Sequence, residues 1–146
     1  MTNGISYEDY LDRYGSLTYA NVGESMLPLL RQGQGLFTVE KKGGTRCKAG
    51  DVVLYRRPPS HYVLHRIIEV RDNDYIILGD NCVTREYGVT DDDILGVMTG
   101  YVRNGKRPRV DEAGYRIYTF VWMHTIPLRI AVKRMRYKVG RWLKKQ

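Results

Sequence analysis

Residues 50–70 read GDVVLYRRPPSHYVLHRIIEV and contain the clearest strand pattern in the chain. Two runs rich in Val, Ile, Leu and Tyr, 50–57 and 61–70, are separated by Pro58-Pro59-Ser60. β-Branched and aromatic residues favour strands, and a Pro-containing break between two such runs favours an antiparallel return. This stretch therefore predicts two antiparallel strands of a β domain.

Outside this stretch the strand pattern continues in both directions. Four further apolar runs, each bounded by Gly, Asn or acidic residues, are predicted to be strands: 17–22, 36–42, 75–81 and 93–105. Before them, Ser6 followed by Glu8 and Asp9 and a stop at Gly15 predicts a short capped helix, with a frayed arm as the alternative. The acidic run 91–93 is interpreted as a solvated turn and not as a metal site.

The chain changes character from about Tyr115. Apolar residues recur there at roughly helical spacing with basic residues between them, and Pro127 is expected to kink or divide the helix. The predicted fold class is therefore mainly β. A compact β domain at 1–114 carries a short N-terminal helix and is followed by a basic amphipathic helical segment at 115–146.

The length and charge of the chain limit the number of domains and the kinds of partner that are expected. The 146 residues suit one domain, and the net charge of +8 comes from the C-terminal segment. Residues 115–146 hold nine Lys or Arg and no acid, whereas 1–114 hold fifteen against sixteen Asp or Glu. Because the β domain itself is not basic, no nucleic-acid partner is expected.

Two further features concern the environment of the protein. Cys47 and Cys82 are too few for a disulfide framework and match no metal-ligand spacing, so both are interpreted as free thiols. The N-terminus lacks the features of a secretory signal, and no segment has the ~18 apolar residues needed to span a bilayer. A cytoplasmic location is expected, with peripheral contact to a membrane as an option.

Four short blocks carry the candidate chemistry. They are Gly23-Glu24-Ser25-Met26-Leu27-Pro28, Gly50-Asp51-Val52-Val53-Leu54-Tyr55, Leu64-His65-Arg66-Ile67-Ile68 and Leu78-Gly79-Asp80-Asn81. A serine becomes a nucleophile only with a base to take its proton and donors for the oxyanion. Ser25 lies in a Gly-flanked turn between strands, where its hydroxyl and nearby N–H groups can face one cleft.

In this order the blocks resemble the signal peptidase I family, especially its archaeal and endoplasmic-reticulum branch, over about residues 20–100. The resemblance implies a fold like that of signal peptidases and LexA, with Ser25 as nucleophile and His65 as general base. Bacterial signal peptidases and LexA-type repressors have lysine at the latter position. A histidine of ordinary pKa near 6.5 accepts a proton at cytosolic pH without tuning by burial.

The resemblance also implies a third, acidic member that orients the imidazole. Asp80 is the first choice, and Glu86 is the possible alternative because related enzymes have an acid a few residues after the Gly-Asp-Asn block. The Ser25 backbone N–H is the expected oxyanion donor. No cofactor or metal is expected. The expected activity is cleavage of a precursor or leader peptide by a serine endopeptidase.

Two other interpretations of the function remain open, and the position of the C-terminal segment is open as well. One is a LexA-like self-cleaving regulator, although only about 20 residues precede the β domain, which is too few for a helix-turn-helix unit. Another is a catalytically silent domain that binds membrane or RNA. The basic segment 115–146 either lies on an anionic membrane, with Trp122 and Trp142 near the headgroups, or packs its apolar side on the β domain.

Overall fold

Seven antiparallel strands form one sheet in the computed structural model of the protein, which describes residues 4–33 and 35–146. The strands are β1 Ser16–Ala20, β2 Leu36–Lys41, β3 Val52–Arg57, β4 His61–Val70, β5 Tyr75–Leu78, β6 Glu86–Val89 and β7 Ile94–Tyr101. Their order across the sheet is β1-β2-β7-β3-β4-β5-β6. The mainly β prediction is confirmed at this level.

The hairpin predicted from residues 50–70 lies in the middle of the sheet. Arg57 pairs with His61 and Val53 pairs with His65, so the chain reverses around Pro59. All of residues 52–55 are buried, and alternate residues contribute to different apolar clusters. Successive side chains of a strand point to opposite faces. Strand β3 is therefore covered on both sides, which explains its continuous apolar sequence.

Three helices flank the sheet: α1 Tyr7–Tyr14, α2 Ala113–His124 and α3 Ile126–Lys144. The N-terminal helix begins as predicted, because the Asp9 N–H donates to the Ser6 hydroxyl at 3.0 Å, and it ends at Gly15. The C-terminal segment is divided at Thr125, with Pro127 in the first turn of α3. A proline is tolerated there because the first helical N–H groups have no partner within the helix.

Two local elements differ from the sequence-based expectation. Strand β6 was not predicted, since Glu86–Val89 is short, half exposed and contains Gly88. The acidic run Asp91–Asp93 forms a 3₁₀ helix and not an open turn. Asp91 pairs with Lys42 and Arg46, so this carboxylate is committed to ion pairs at the domain surface.

The C-terminal helices pack on the β domain by one side. Tyr115 is buried in the larger apolar cluster, and Ile126 and Ile130 are buried against Leu78. The interpretation that the segment packs on the domain is correct for this side, while much of the remaining apolar surface stays exposed. Within residues 4–33 and 35–146, none of the helices is both long enough and apolar enough to cross a membrane.

Candidate active site

Ser25 lies in the turn-rich connection between β1 and β2. Gly23 has a φ of +84°, a left-handed conformation that favours glycine and turns the chain just before the serine. Directly after the serine, Met26, Leu29 and Leu30 are almost fully buried and fix the connection to the core. Ser25 itself is half-buried and lines a wide cleft of the described protein.

His65 comes from the middle of β4 and meets the Ser25 turn at Gly79. A Cβ atom added at Gly79 would lie 2.8 Å from the Ser25 carbonyl oxygen and 3.0 Å from Cδ2 of His65. Both residues also line the same cleft. The structure thus brings the main chain of Ser25 and the imidazole of His65 to the same glycine, where the space between them leaves no room for a larger side chain.

The Gly-Asp-Asn block holds the Ser25 turn through its asparagine. The Asn81 N–H donates to the Ser25 carbonyl at 2.8 Å, and its side-chain amide donates to the Glu24 carbonyl at 3.0 Å. The acceptors of these two bonds are the carbonyl oxygens of Glu24 and Ser25, which lie on either side of the Ser25 peptide nitrogen. Among the described residues the Ser25 N–H has no hydrogen-bond acceptor, so it is available as an oxyanion donor.

The imidazole of His65 is the first member of a polar chain. Its Nδ1 lies 3.3 Å from the Tyr55 hydroxyl, which also contacts the Glu86 carboxylate. Arg57 donates to both oxygens of Glu86, at 3.0 and 2.8 Å. An ionised carboxylate only accepts, so the single Tyr55 proton points to Glu86 and Nδ1 must donate to Tyr55. This tautomer leaves Nε2, which is bonded to the Cδ2 near Gly79, as the acceptor.

Burial changes the acid–base properties of His65. Burial, and after it the positive charge of Arg57, lower the pKa of His65 to about 4, although Glu86 and Asp80 act in the opposite direction. The expectation of an unperturbed histidine is therefore wrong. The imidazole is neutral over a wider pH range than a free histidine, and neutral imidazole is the form that accepts a proton.

Tyr55 and Glu86, the two groups behind His65, differ in protonation: the phenol is neutral and the carboxylate is ionised. Burial raises the pKa of Glu86, but the hydrogen bonds from Arg57 and Tyr55 outweigh it, and the pKa lies below its usual value. Burial and the bond to Glu86 raise the pKa of Tyr55. The chain behind the histidine therefore consists of a neutral phenol that donates to an ionised carboxylate.

Asp80, the first choice for the third member, has other partners. Arg66 donates to both of its oxygens, at 2.8 and 2.9 Å, and Tyr118 also donates to it, at 2.8 Å. The Arg66 and Asp80 side chains are each 1% exposed. No hydrogen bond joins Asp80 to His65 in residues 4–33 and 35–146. Since His65 and Arg66 are consecutive in β4, they point to opposite faces of the sheet, and Asp80 lies on the Arg66 face.

The C-terminal helices contact the same turn from outside. Trp122 Nε1 and Arg129 donate to the Asp80 carbonyl at 2.9 and 3.1 Å, and the Lys133 ammonium contacts both the carbonyl and the side-chain oxygen of Asn81. Trp122 stacks on Tyr118. The expectation that Trp122 reaches membrane headgroups is therefore wrong, because its indole N–H is bound to the domain.

The cleft around Ser25 has a volume of about 890 Å³. Tyrosines from α1, β1 and β4 (Tyr7, Tyr19, Tyr62) line it, and Tyr137 of α3 reaches it. Cys82 also lines the cleft, and burial raises the pKa of its thiol. Both cysteines are free, as expected. The described residues contain no group of three or more His, Cys, Asp or Glu that could hold a metal ion.

Sequence reasoning missed Tyr55, Arg57 and Lys133. The hairpin register contains a signal for the first: if the chain reverses around Pro59, Val53 lies opposite His65 and Tyr55 becomes a diagonal neighbour on the same face. Arg57 and Lys133 act through long side chains whose direction depends on packing, and the local sequence carries no signal for either.

Comparison of the chain with known protein families, curated proteins and solved structures gives no match.

Proposed function

We propose that the protein is a serine endopeptidase of the signal peptidase type, which cleaves a precursor or leader peptide through an acyl-enzyme on Ser25. The observation that carries this proposal is the meeting of Ser25 and His65 at Gly79 in one cleft. The two residues come from separate sequence blocks, Ser25 from the connection between β1 and β2 and His65 from β4. A chance pair would not also have a buried neutral imidazole with its Nδ1 oriented by a hydrogen-bonded chain.

The chemistry follows from the protonation states. His65 Nε2 takes the hydroxyl proton as Ser25 Oγ attacks the scissile carbonyl, and the Ser25 N–H donates to the oxyanion. The imidazolium then gives its proton to the leaving amine, and the C–N bond breaks. Water then attacks the ester while the same histidine takes its proton; the bond between the acyl carbon and Ser25 Oγ breaks, the imidazolium returns the proton to Oγ, and the second product leaves. No hydrogen bond between the Ser25 and His65 side chains is present among the described residues, and catalytic contacts of this kind often tighten only when substrate binds.

Glu86 is the better candidate for the acidic member, acting through Tyr55. The imidazolium that forms during catalysis lies next to a phenol whose proton already points to an ionised carboxylate. Both oxygens of Asp80 are bound to Arg66 or Tyr118, so Asp80 stabilises the imidazolium only through its charge. We therefore assign Asp80 a structural role at the junction of the β domain and the C-terminal helices.

The decisive experiment is labelling with a serine-directed acylating probe, which tests nucleophilicity without a known substrate. Wild-type protein should be labelled at Ser25, and Ser25→Ala and His65→Ala should each reduce labelling by ~10⁴-fold or more. Because the two residues act as a unit, the double variant should be no worse than either single one. Ser16→Ala, at the exposed start of β1, is the matched control. Equal labelling of wild type and Ser25→Ala would refute the proposal.

A further inference from the structure

Helix α3 has an exposed apolar stripe in addition to its buried side. The stripe consists of Leu128, Val132, Met135, Val139, Trp142 and Leu143, whose exposed fractions range from 42% to 65%. Their spacing of three or four residues places them along one side of the helix. At 1.5 Å per residue the stripe is about 22 Å long. Isolated exposed apolar residues are ordinary, but a continuous row of this length marks an interaction surface.

Most of the stripe lies on the side of α3 that faces away from the β domain, whereas Leu128 and Val132, near the start of the helix, border a groove that Asp80, Asn81 and Cys82 also line. Ile126 and Ile130 are buried, and at about 100° per residue they lie roughly opposite the middle of the stripe. The Lys133 contact with Asn81 is also made from the buried side. The domain thus packs against one apolar side of the helix, and nothing in residues 4–33 and 35–146 covers most of the stripe on the other side.

Basic residues border the stripe on both sides. Arg136 flanks it on one side, and Arg134 and Lys138 flank it on the other, whereas Arg129 is bound to the Asp80 carbonyl. Residues 115–146 contain no acidic residue that could neutralise them. A groove of about 340 Å³ beside the helix also brings stripe residues together with basic residues: Leu128, Val132, Arg129, Arg136. The surface that α3 presents is therefore apolar along its centre and positive at its margins.

We infer that α3 docks in the plane of an anionic lipid membrane, with the stripe among the acyl chains and the flanking Lys and Arg at the phosphate level. A membrane surface satisfies both parts of the pattern at once, since apolar residues enter the bilayer while basic residues meet anionic headgroups. A second copy of the chain fits poorly because two strongly basic segments would repel each other. A nucleic acid would pair with the charges but leave the six apolar residues in water.

The two tryptophans of the C-terminal helices distinguish membrane insertion from packing on the β domain. Trp142 is 60% exposed near the end of the stripe, whereas Trp122 is bound to the Asp80 carbonyl. Insertion should therefore move the fluorescence of Trp142 to shorter wavelength. The Trp142→Phe variant should lose this change, and Trp122→Phe should keep it.

The test measures binding of the full chain to vesicles of phosphatidylcholine, with and without phosphatidylglycerol. We expect co-sedimentation with the anionic vesicles, a blue shift from Trp142, and weakening as the Debye length contracts from about 10 Å at 0.1 M salt to about 3 Å at 1 M. The triple variant Met135→Gln, Val139→Gln, Trp142→Gln should bind about tenfold or more weakly. Tyr14→Gln, at an exposed aromatic of α1, is its control and should bind like wild type.

The charge requirement has its own pair of variants. Arg134→Gln with Lys138→Gln should weaken binding about tenfold or more, because each basic group near an anionic surface contributes. Lys48→Gln with Lys106→Gln removes two exposed charges from the β domain and should change binding less than about twofold. Binding is measured in Ser25→Ala as well and should be unchanged, so a failure of the proposed peptidase activity does not affect this result.

Four results would overturn the inference. They are no binding to either vesicle, equal binding to neutral and anionic vesicles, binding that the triple variant retains, and a concentration-dependent dimer that the triple variant abolishes. Because the substituted stripe side chains are exposed, the variants should keep the wild-type urea denaturation midpoint, and lost binding then reports the surface and not the fold.

Discussion

Acidification should destabilise the folded protein through the burial of His65. The unfolded chain protonates this residue near pH 6.5, whereas burial holds the pKa of His65 in the folded state at about 4. Between these values the unfolded state binds the additional proton, so stability rises with pH there. Each pKa unit corresponds to about 1.4 kcal/mol, and the full loss from pH 7 to below pH 4 amounts to about 3 kcal/mol.

The measurement is urea denaturation of wild type and His65→Gln at a series of pH values from 7 to 4. Glutamine does not titrate, so the difference between the two free energies of unfolding isolates the histidine. That difference should be constant above pH 7. As the pH falls to 4, the free energy of unfolding of wild type should decrease by about 3 kcal/mol relative to that of His65→Gln. The exposed His61 provides the control, and His61→Gln should show the wild-type dependence.

The rate at which the acylating probe labels Ser25 should depend on the protonation of His65. The base must be neutral, so labelling of Ser25 should persist through pH 6 and fall only as the pH approaches about 4. Parallel stability curves for wild type and His65→Gln, together with half-maximal labelling near pH 6.5, would refute the argument that burial controls this imidazole.

Three further predictions follow from the contacts around the site. Asp80→Asn should lower the free energy of unfolding by about 3–5 kcal/mol in urea denaturation because it leaves Arg66 buried without its anion, whereas Asp74→Asn at a surface pair should change the free energy of unfolding far less. Gly79→Ala should abolish probe labelling, since its Cβ would lie within 3.0 Å of the Ser25 carbonyl oxygen and of His65 Cδ2; wild-type labelling would show that the site is wider than described. Tyr55→Phe should slow labelling about 10- to 100-fold in protein that keeps the native circular dichroism spectrum, because a hydrogen bond that stabilises a charged group contributes about 1.5–3 kcal/mol. An unchanged rate in Tyr55→Phe would remove Glu86 from the mechanism.

Much of the fold follows from local sequence. The 50–70 hairpin, the Ser6 cap and the division of the C-terminal helix near Pro127 each depend on residues close together in the chain, and all three are present. Strand β6 could not be predicted because its backbone is held by pairing with β5 while its own sequence has little strand character. Whether the fold is that of signal peptidases and LexA remains a prediction.

The four sequence blocks predicted that Ser25 and His65 lie close together. They did not predict which residues surround the two side chains. Asp80 and Glu86 are both acids that follow β5, and sequence alone does not show which face of the sheet each one reaches. The structure separates them, because Arg66 and His65 point to opposite faces of β4 and each acid lies on the face of one of them. The pKa of His65 likewise depends on burial, which involves residues distant in sequence.

The contact between Lys133 and Asn81 joins parts of the chain that are made at very different times. Ser25 is near the N-terminus, whereas Lys133 follows more than 100 residues later. During synthesis, a nascent chain that already contains Ser25, His65 and Gly79 still lacks the helix that supports Asn81, and Asn81 is the residue that holds the serine turn. Under the proposed function, this order of assembly delays a fixed Ser25 turn until α3 has been made.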